Sequence, residues 1–269
     1  MWCARPYRQS KVFNYSILTH RKYKMDSDDE PLVLSAATLA ALQQFRSEEE
    51  QRKEHFAKLY QESEDRYDEL QKASIDDYKE DWQLSQFWYS DETADILAKA
   101  LLEGADEDTV VCIASAPSVY AAVTRLPAEQ VPTKHIYLLE FDKRFEVMAG
   151  KKYFHFYDYN KPEEVPEVIR NKCHRLLIDP PFLEEECQTK SAQAARNLLA
   201  DINGEKTASG DQKFKLISST GERMRDIIKK TYPETLLTSF LPEHKNGLSN
   251  EFRCYASFEC PYWKFDNTV

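Results

Sequence analysis

Glycine is scarce in this chain of 269 residues, with six in all at positions 104, 150, 204, 210, 221 and 247. Globular chains usually carry ~7% glycine, and this one has about 2%. None of the spacings makes a GxGxxG turn or a Walker loop, so any nucleotide site must be built without a glycine cradle. The six cysteines, Cys3, Cys112, Cys173, Cys187, Cys254 and Cys260, form no CxxC pair. Cys112 and Cys254 stand inside apolar runs, as buried thiols do. A disulfide framework is not expected in a chain this long without a secretory signal. The six histidines are scattered with no HExxH, and no metal site is read from them. No apolar run approaches the ~18–20 residues that span a bilayer, so no membrane partner is expected. Positive charge is also short, because 36 Lys+Arg face 46 Asp+Glu and the net charge is −10. A protein living on a phosphate backbone would be basic, which argues against nucleic acid as partner.

The composition that remains, 42% hydrophobic and 30% charged, is that of a globular protein with a sizeable core. Residues 1–25 stand apart: they carry Arg5, Arg8, Lys11, Arg21, Lys22 and Lys24 and no acid. The net charge is therefore +6 here and −16 in the rest of the chain. An upstream extension is expected, with Met25 before Asp26-Ser27-Asp28-Asp29-Glu30; a mitochondrial presequence is the alternative. Residues 1–30 are expected to lie outside the fold. Residues 31–84 read as a helical, charge-rich segment, with one helix over Ser35–Phe45 and a long surface helix or helix pair over 46–81. A solvated face explains those charges better than a docking arm.

From residue 85 to 269 apolar β-rich segments alternate with helical ones. Strands are expected at Val110–Ala114, Ile136–Phe141, Tyr153–Tyr157, Leu176–Ile178, Phe214–Ser218, Leu236–Leu241 and Phe252–Phe258. Helices are expected at Thr93–Leu102, Val119–Leu126, Lys143–Ala149, Pro162–Asn171, Ser191–Ile202 and Glu222–Thr231. Short continuous apolar strands imply burial on both faces, hence an α/β doubly wound, mostly parallel sheet. The last two strands leave no room for a helix between them, and Asn246-Gly247 suggests an antiparallel hairpin. No heptad of useful length is present, and a monomer is expected.

In such a sheet ligands bind beyond the carboxyl ends of the strands. The first strand ends in Ser115-Ala116-Pro117-Ser118, a turn of small residues where a glycine loop would stand. The second ends in Glu140, 23 residues beyond Pro117; an acid at about that spacing commonly binds ribose hydroxyls, and a solvated strand-end acid is the equal alternative. The third ends in Asp158, which could meet an adenine edge or simply make a surface turn. The fourth runs into Asp179-Pro180-Pro181-Phe182. Two prolines remove two backbone donors and stiffen the turn, leaving a carboxylate beside a carbonyl as a cradle for an amino group. Phe182 adds a flat apolar wall. The combination points to amino-group methylation.

Asp179-Pro180-Pro181-Phe182 resembles the [DN]PP[FYW] motif of class I S-adenosylmethionine-dependent methyltransferases that act on amino or amide nitrogen. Cys112–Tyr120, Leu138–Phe145, Asn250–Tyr255 and Ser85–Ser90 extend the likeness. With them the sequence resembles the eukaryotic family of elongation factor 1A lysine methyltransferases, formerly labelled N6-adenine-specific DNA methyltransferases. The resemblance covers about residues 32–265. It implies a Rossmann-like seven-stranded sheet with an antiparallel last strand, S-adenosyl-L-methionine across the strand ends, and a cytoplasmic enzyme acting on a basic protein, elongation factor 1A. It also implies that Ser115, Ala116 and Pro117 face the methionine part, Glu140 the ribose and Asp158 the adenine. Phe87, Trp88 and Tyr89 would close the cofactor pocket. Asp179 and the Pro180 carbonyl would orient the ε-nitrogen, on a turn stiffened by Pro181, with Phe182 on the lysine stem.

Two other readings stand beside lysine methylation. An adenine methyltransferase would have to neutralise phosphates and extrude a base, which a chain carrying −16 beyond residue 25 suits poorly. A Rossmann-like binding module without turnover would be unlikely to keep the whole Asp179–Phe182 motif.

Overall fold

The computed structural model describes residues 43, 44, 46, 47, 51, 78, 87–247 and 251–266. Contacts divide the chain into Met1–Glu48 and Glu49–Val269. In the first unit Gln43, Gln44, Arg46 and Ser47 are helical; everything below concerns the second. The helices expected over 35–45 and 46–81, and the boundaries expected at 30 and 84, lie almost wholly outside the described residues.

Strands form where the sequence runs apolar for a few residues: β1 Val111–Ala114, β2 Ile136–Glu140, β3 Phe154–Phe156, β4 Arg175–Ile178, β5 Lys215–Gly221, β6 Leu236–Leu237 and β7 Phe252–Ala256. They make one seven-stranded sheet in the order β3-β2-β1-β4-β5-β7-β6. β1 to β5 pair in parallel, while β7 runs antiparallel to both β5 and β6. The expected mostly parallel sheet with an antiparallel last strand is thus observed. Every residue of β1, β2, β4 and β5 is buried, as strands covered on both faces must be.

The helices that pack on the sheet are α1 Asp91–Leu102, α2 Pro117–Arg125, α3 Glu146–Ala149, α4 Glu185–Leu198 and α5 Arg225–Thr231. Side chains alternate across the sheet with period two. Ile113, Leu138, Leu177 and Ile217 join a core with Leu97 and Leu101 of α1 and Val119 of α2. Their neighbours Cys112, Leu139, Leu176 and Leu216 join a second core with Ala195 and Leu198 of α4 and Ile228 of α5. The five described cysteines are buried and unbridged.

Three local expectations differ from the structure. No α-helix forms over 162–171, which folds as successive turns; Pro162 and Pro166 each remove a donor that a helix would need. α4 spans Glu185–Leu198, not 191–202. Its first turn gains from Glu185 and Glu186 at the positive end of the dipole. It ends because Leu199 pairs with Cys173 and Ala200 N–H donates to the Cys173 carbonyl. Finally, β6 ends at Leu237 rather than Leu241; it pairs antiparallel with β7 as expected, but Asn246-Gly247 lies in a long connection and not in a tight turn. The chain instead leaves the sheet, and His244 bridges back to Tyr89 before β7 begins.

Candidate active site

Strand order reverses at β1, with β2 on one side and β4 on the other. The crevice beyond the carboxyl ends of β1 and β4 is where an open α/β sheet places its ligand. A cavity of about 590 Å³ opens there, within the ~300–1,000 Å³ range of small-molecule sites. Of the residues singled out from the sequence, Phe87, Trp88, Ser115, Ala116, Pro117, Glu140, Asp158, Asp179, Pro180, Pro181 and Phe182 all line it. Tyr89 does not.

The β1 turn shows how a site forms without glycine. Ser115 takes a left-handed backbone conformation with φ 56, the position a glycine would ordinarily fill. Its N–H donates to the Leu139 carbonyl at 2.9 Å, which ties the turn to β2. Pro117 then opens α2, whose fixed φ suits the first helical position. Ala116 supplies no side-chain cap, so the first turn of α2 presents its positive end to the cavity.

At the end of β2, Glu140 is buried, and its Oε1 accepts from the N–H groups of Phe141 at 2.9 Å and Asp142 at 3.1 Å. Two backbone donors therefore fix the direction of its carboxylate. Asp158 makes a local turn, its Oδ1 accepting from Asn160 N–H at 2.9 Å, and it also reaches the cavity wall. The surface turn read from the sequence for Asp158 is thus observed.

Asp179 follows β4 directly, and its N–H donates to the Ala114 carbonyl at 3.1 Å. It keeps part of its surface open to the cavity. Enough protein surrounds the carboxyl that burial pushes its pKa up to about 7; a hydrogen bond from Tyr89 pulls it down, and the nearby Glu140 pushes it further up. Pro180 and Pro181 continue the wall, and the loop is held from below by Gln188 Nε2 of α4, which donates to the Phe182 carbonyl at 3.0 Å. The Phe182 ring meets Tyr159 edge-on with centroids 5.7 Å apart. Arg223 donates to the Leu183 carbonyl at 2.7 Å and closes the far rim.

Phe87 and Trp88 reach the cavity, but Trp88 is also packed inward, edge-on to Phe145 at 5.6 Å. Tyr89, expected with them on the cofactor wall, turns the other way and is 1% exposed. Its hydroxyl lies 2.6 Å from Asp179 Oδ2 and 2.7 Å from Ser219 Oγ of β5. Sequence reasoning missed Ser219, Tyr159, Arg223 and His244, because none sits in a motif. Only the register of β5 against β4, with Ile178 beside Ser218, could have brought Ser219 beside Asp179.

Comparison with known proteins agrees with this geometry. Residues 80–260 match the family model described as "Probable N6-adenine methyltransferase". The chain is 59% identical over 233 residues to protein-lysine N-methyltransferase EFM5 of Saccharomyces cerevisiae, covering 86% of this chain and 94% of that protein. It is 36% identical over 233 residues to EEF1A lysine methyltransferase 1 of Homo sapiens, with the same two coverages of 86% and 94%. The protein of that name from Gallus gallus is 36% identical over 236 residues, covering 87% of this chain and 98% of the relative. With relatives at these levels of identity and coverage, this chain belongs to the protein-lysine N-methyltransferase family of EFM5 and EEF1A lysine methyltransferase 1.

Proposed function

We propose that this chain transfers a methyl group from S-adenosyl-L-methionine to the ε-amino group of a lysine on translation elongation factor 1A, acting as a cytoplasmic monomer. The observation that carries this reading is Asp179, a carboxyl with a pKa of about 7 set between two prolines and the cavity. The names of the relatives add the substrate.

The cavity suits the cofactor. The left-handed turn at Ser115 and the uncapped start of α2 fit the carboxylate of its methionine part. The fixed Glu140 carboxylate fits a ribose diol. Bound there, S-adenosyl-L-methionine supplies a methyl carbon on a sulfonium, and the carbon–sulfur electron pair returns to sulfur as the carbon–nitrogen bond forms. The residues of the chain do the rest. A lysine arrives protonated, with a free pKa of ~10.4, and needs a lone pair before it can attack. Asp179, titrating near 7, is able to take that proton at neutral pH. The Pro180 carbonyl accepts from the remaining N–H and points the lone pair, and the Phe182 ring packs along the methylene stem. Alignment of this kind is worth much of the barrier for an in-line displacement.

Charge favours lysine over a phosphate-bearing substrate. The cavity wall carries Glu140, Asp158, Asp179 and Glu184 against a single guanidinium, Arg223. Such a mouth attracts a cation and repels a nucleic acid backbone. No helix among the described residues is long and apolar enough to cross a membrane.

The test is transfer of labelled methyl from S-adenosyl-L-methionine to purified elongation factor 1A and to adenine-containing DNA in parallel, with Asp179→Ala as control. Label at a lysine of the protein, lost in Asp179→Ala with cofactor binding intact, is the expected result. Label on DNA alone would overturn the lysine reading.

A further inference from the structure

The alternation of the sheet puts three side chains on one face. Leu177 and Ile217 face the core shared with α1 and α2, so Asp179 and Ser219, two residues further along the parallel neighbours β4 and β5, point the same way. Tyr89, in that same core, fills the space beneath them. Its backbone is pinned on both sides: Ser90 N–H donates to the Glu243 carbonyl at 2.8 Å, and Lys245 N–H to the Trp88 carbonyl at 2.9 Å. Its ring lies tilted against His244 with centroids 4.8 Å apart, and His244 meets Phe252 edge-on at 4.4 Å. A phenol held this firmly delivers its hydroxyl to one place.

That hydroxyl has one proton and two close neighbours, Asp179 Oδ2 at 2.6 Å and Ser219 Oγ at 2.7 Å. The carboxylate is the stronger acceptor, so the phenol donates to Asp179 and the Ser219 hydroxyl donates to the phenol oxygen. We propose that Tyr89 is a positioning residue of the methyl-transfer site: its hydroxyl, backed by Ser219, fixes the carboxylate of Asp179 and keeps it ionised until it takes the substrate's proton. This rests on the lysine-methylation reading above. The step balances as follows: the ammonium gives one proton to the Asp179 oxygen that Tyr89 does not engage, leaving a neutral carboxylic acid and a neutral amine. The amine then attacks the methyl carbon, and Asp179 returns its proton to solvent before the next turnover.

The titratable groups facing the pair come from three elements and from the connection between β6 and β7. Glu140 at the end of β2 raises the Asp179 pKa by its charge. Burial pushes the thiol of Cys187 on α4 up to about 11 and that of Cys254 on β7 up to about 12, and pushes His244 down to about 4, so all three are uncharged at neutral pH. Tyr89 itself is raised well above the usual phenol range, first by burial and then by Asp179, and remains a donor throughout. It is therefore the group placed to oppose Glu140 and the cost of burial.

The test uses the full chain labelled with ¹³C at aspartate carboxyls, with Asp179 assigned by its loss in Asp179→Asn. Tyr89→Phe keeps the ring on His244 and removes only the donor. Its Asp179 midpoint is expected to rise by about 1 pH unit or more, with a smaller rise in Ser219→Ala. In both variants the ascending limb of kcat/KM against pH moves up by the same amount and kcat falls, while the affinity for S-adenosyl-L-methionine stays unchanged. An Asp179 midpoint that does not move in Tyr89→Phe, or a limb that stays in place when the midpoint moves, would overturn the proposal. Should Tyr89→Phe fail to fold, the same readings on Ser219→Ala decide it. No transfer by the unsubstituted chain, with the midpoint shift intact, would count against lysine methylation and leave the Tyr89–Asp179 coupling standing.

Discussion

Strands β4 and β5 carry charge inside the protein at both ends, and the two ends are handled in opposite ways. At the amino end, Arg175 is fully buried and Lys215 nearly so. Arg175 Nη1 donates to the carbonyls of Leu101 at 2.7 Å and Glu103 at 2.8 Å, and Lys215 Nζ donates to Glu103 at 2.8 Å. These are carbonyls at the carboxyl end of α1, which has no intrahelical donors for them and carries the negative end of the dipole. α1 closes there on Gly104, whose φ of 67 is the left-handed conformation of a helix stop. At the carboxyl end, Asp179 meets no cation among the described residues. It has one phenol, a neighbouring carboxylate and an open cavity. Charge that is tied to backbone acceptors serves the fold; charge left titratable beside a cavity is the arrangement that the proposed chemistry needs.

Asp179→Asn should give the largest effect on that contrast. Asparagine keeps the shape and an acceptor oxygen but takes no proton, so kcat/KM at pH 7 should fall by roughly 10²-fold or more, the scale of general-base catalysis. Stability should move the other way. A carboxyl whose folded pKa is about 7 against ~3.9 in the free chain binds its proton more tightly when folded, so its ionisation weakens the fold. The penalty is absent below pH ~4, grows as pH rises toward 7 and is complete above it, at about 2–3 kcal/mol after allowing for cavity water. Urea unfolding should find Asp179→Asn equal to the parent at pH 4 and more stable at pH 8. Equal stability at both pH values would mean that Asp179 is solvated like a surface acid.

Arg175→Leu should reverse the effect on stability and leave activity untouched. It leaves the Leu101 carbonyl without its donor and the Glu103 carbonyl with Lys215 alone, at a cost of about 2–3 kcal/mol in urea unfolding. Methyl transfer per folded molecule should be unchanged, because nothing at the far end of β4 moves. A loss of turnover in the folded variant would show that the two ends are coupled through the strand.

The sequence made some of this contrast legible and hid the rest for a physical reason. The strands, the turn at Ser115–Pro117, Glu140 and the Asp179–Phe182 wall could be read because each is a local run whose meaning lies in its neighbours. Tyr89 was read as part of a local aromatic run with Phe87 and Trp88, but its partner lies 90 residues away and Ser219 lies 130 away. Only the sheet register brings those together. Residues 162–171, expected as helix from their place between two strands, fold as turns because Pro162 and Pro166 each lack a donor. Arg175 and Lys215 gave no signal, since each looks like an ordinary charge at a strand start until the helix end above them is known.

Lys215→Met should show the smallest effect and sharpens the comparison most, because it separates the cation from its hydrogen bond. Burial, and after it the charge of Arg175, push the Lys215 pKa down to about 8. An amine with a depressed folded pKa burdens the fold while it is charged, so parent stability should rise between pH ~8 and ~10.4 as the native ammonium is lost first. With part of the group screened by water, that rise should be about 1–2 kcal/mol. Methionine keeps the stem on the Phe258 ring, where the ammonium sits 4.6 Å from the centroid, and drops both the charge and the donor to Glu103. At pH 7 the relief of charge and the lost bond, each about 1 kcal/mol, should nearly cancel. At pH 10 the neutral amine still donates in the parent, so the variant should be weaker by about 1 kcal/mol. If the variant were instead destabilised at pH 7 as much as Arg175→Leu, the ammonium charge itself would be holding the end of α1. The amino end of the sheet would then be an electrostatic clamp, where the geometry shows a set of hydrogen bonds.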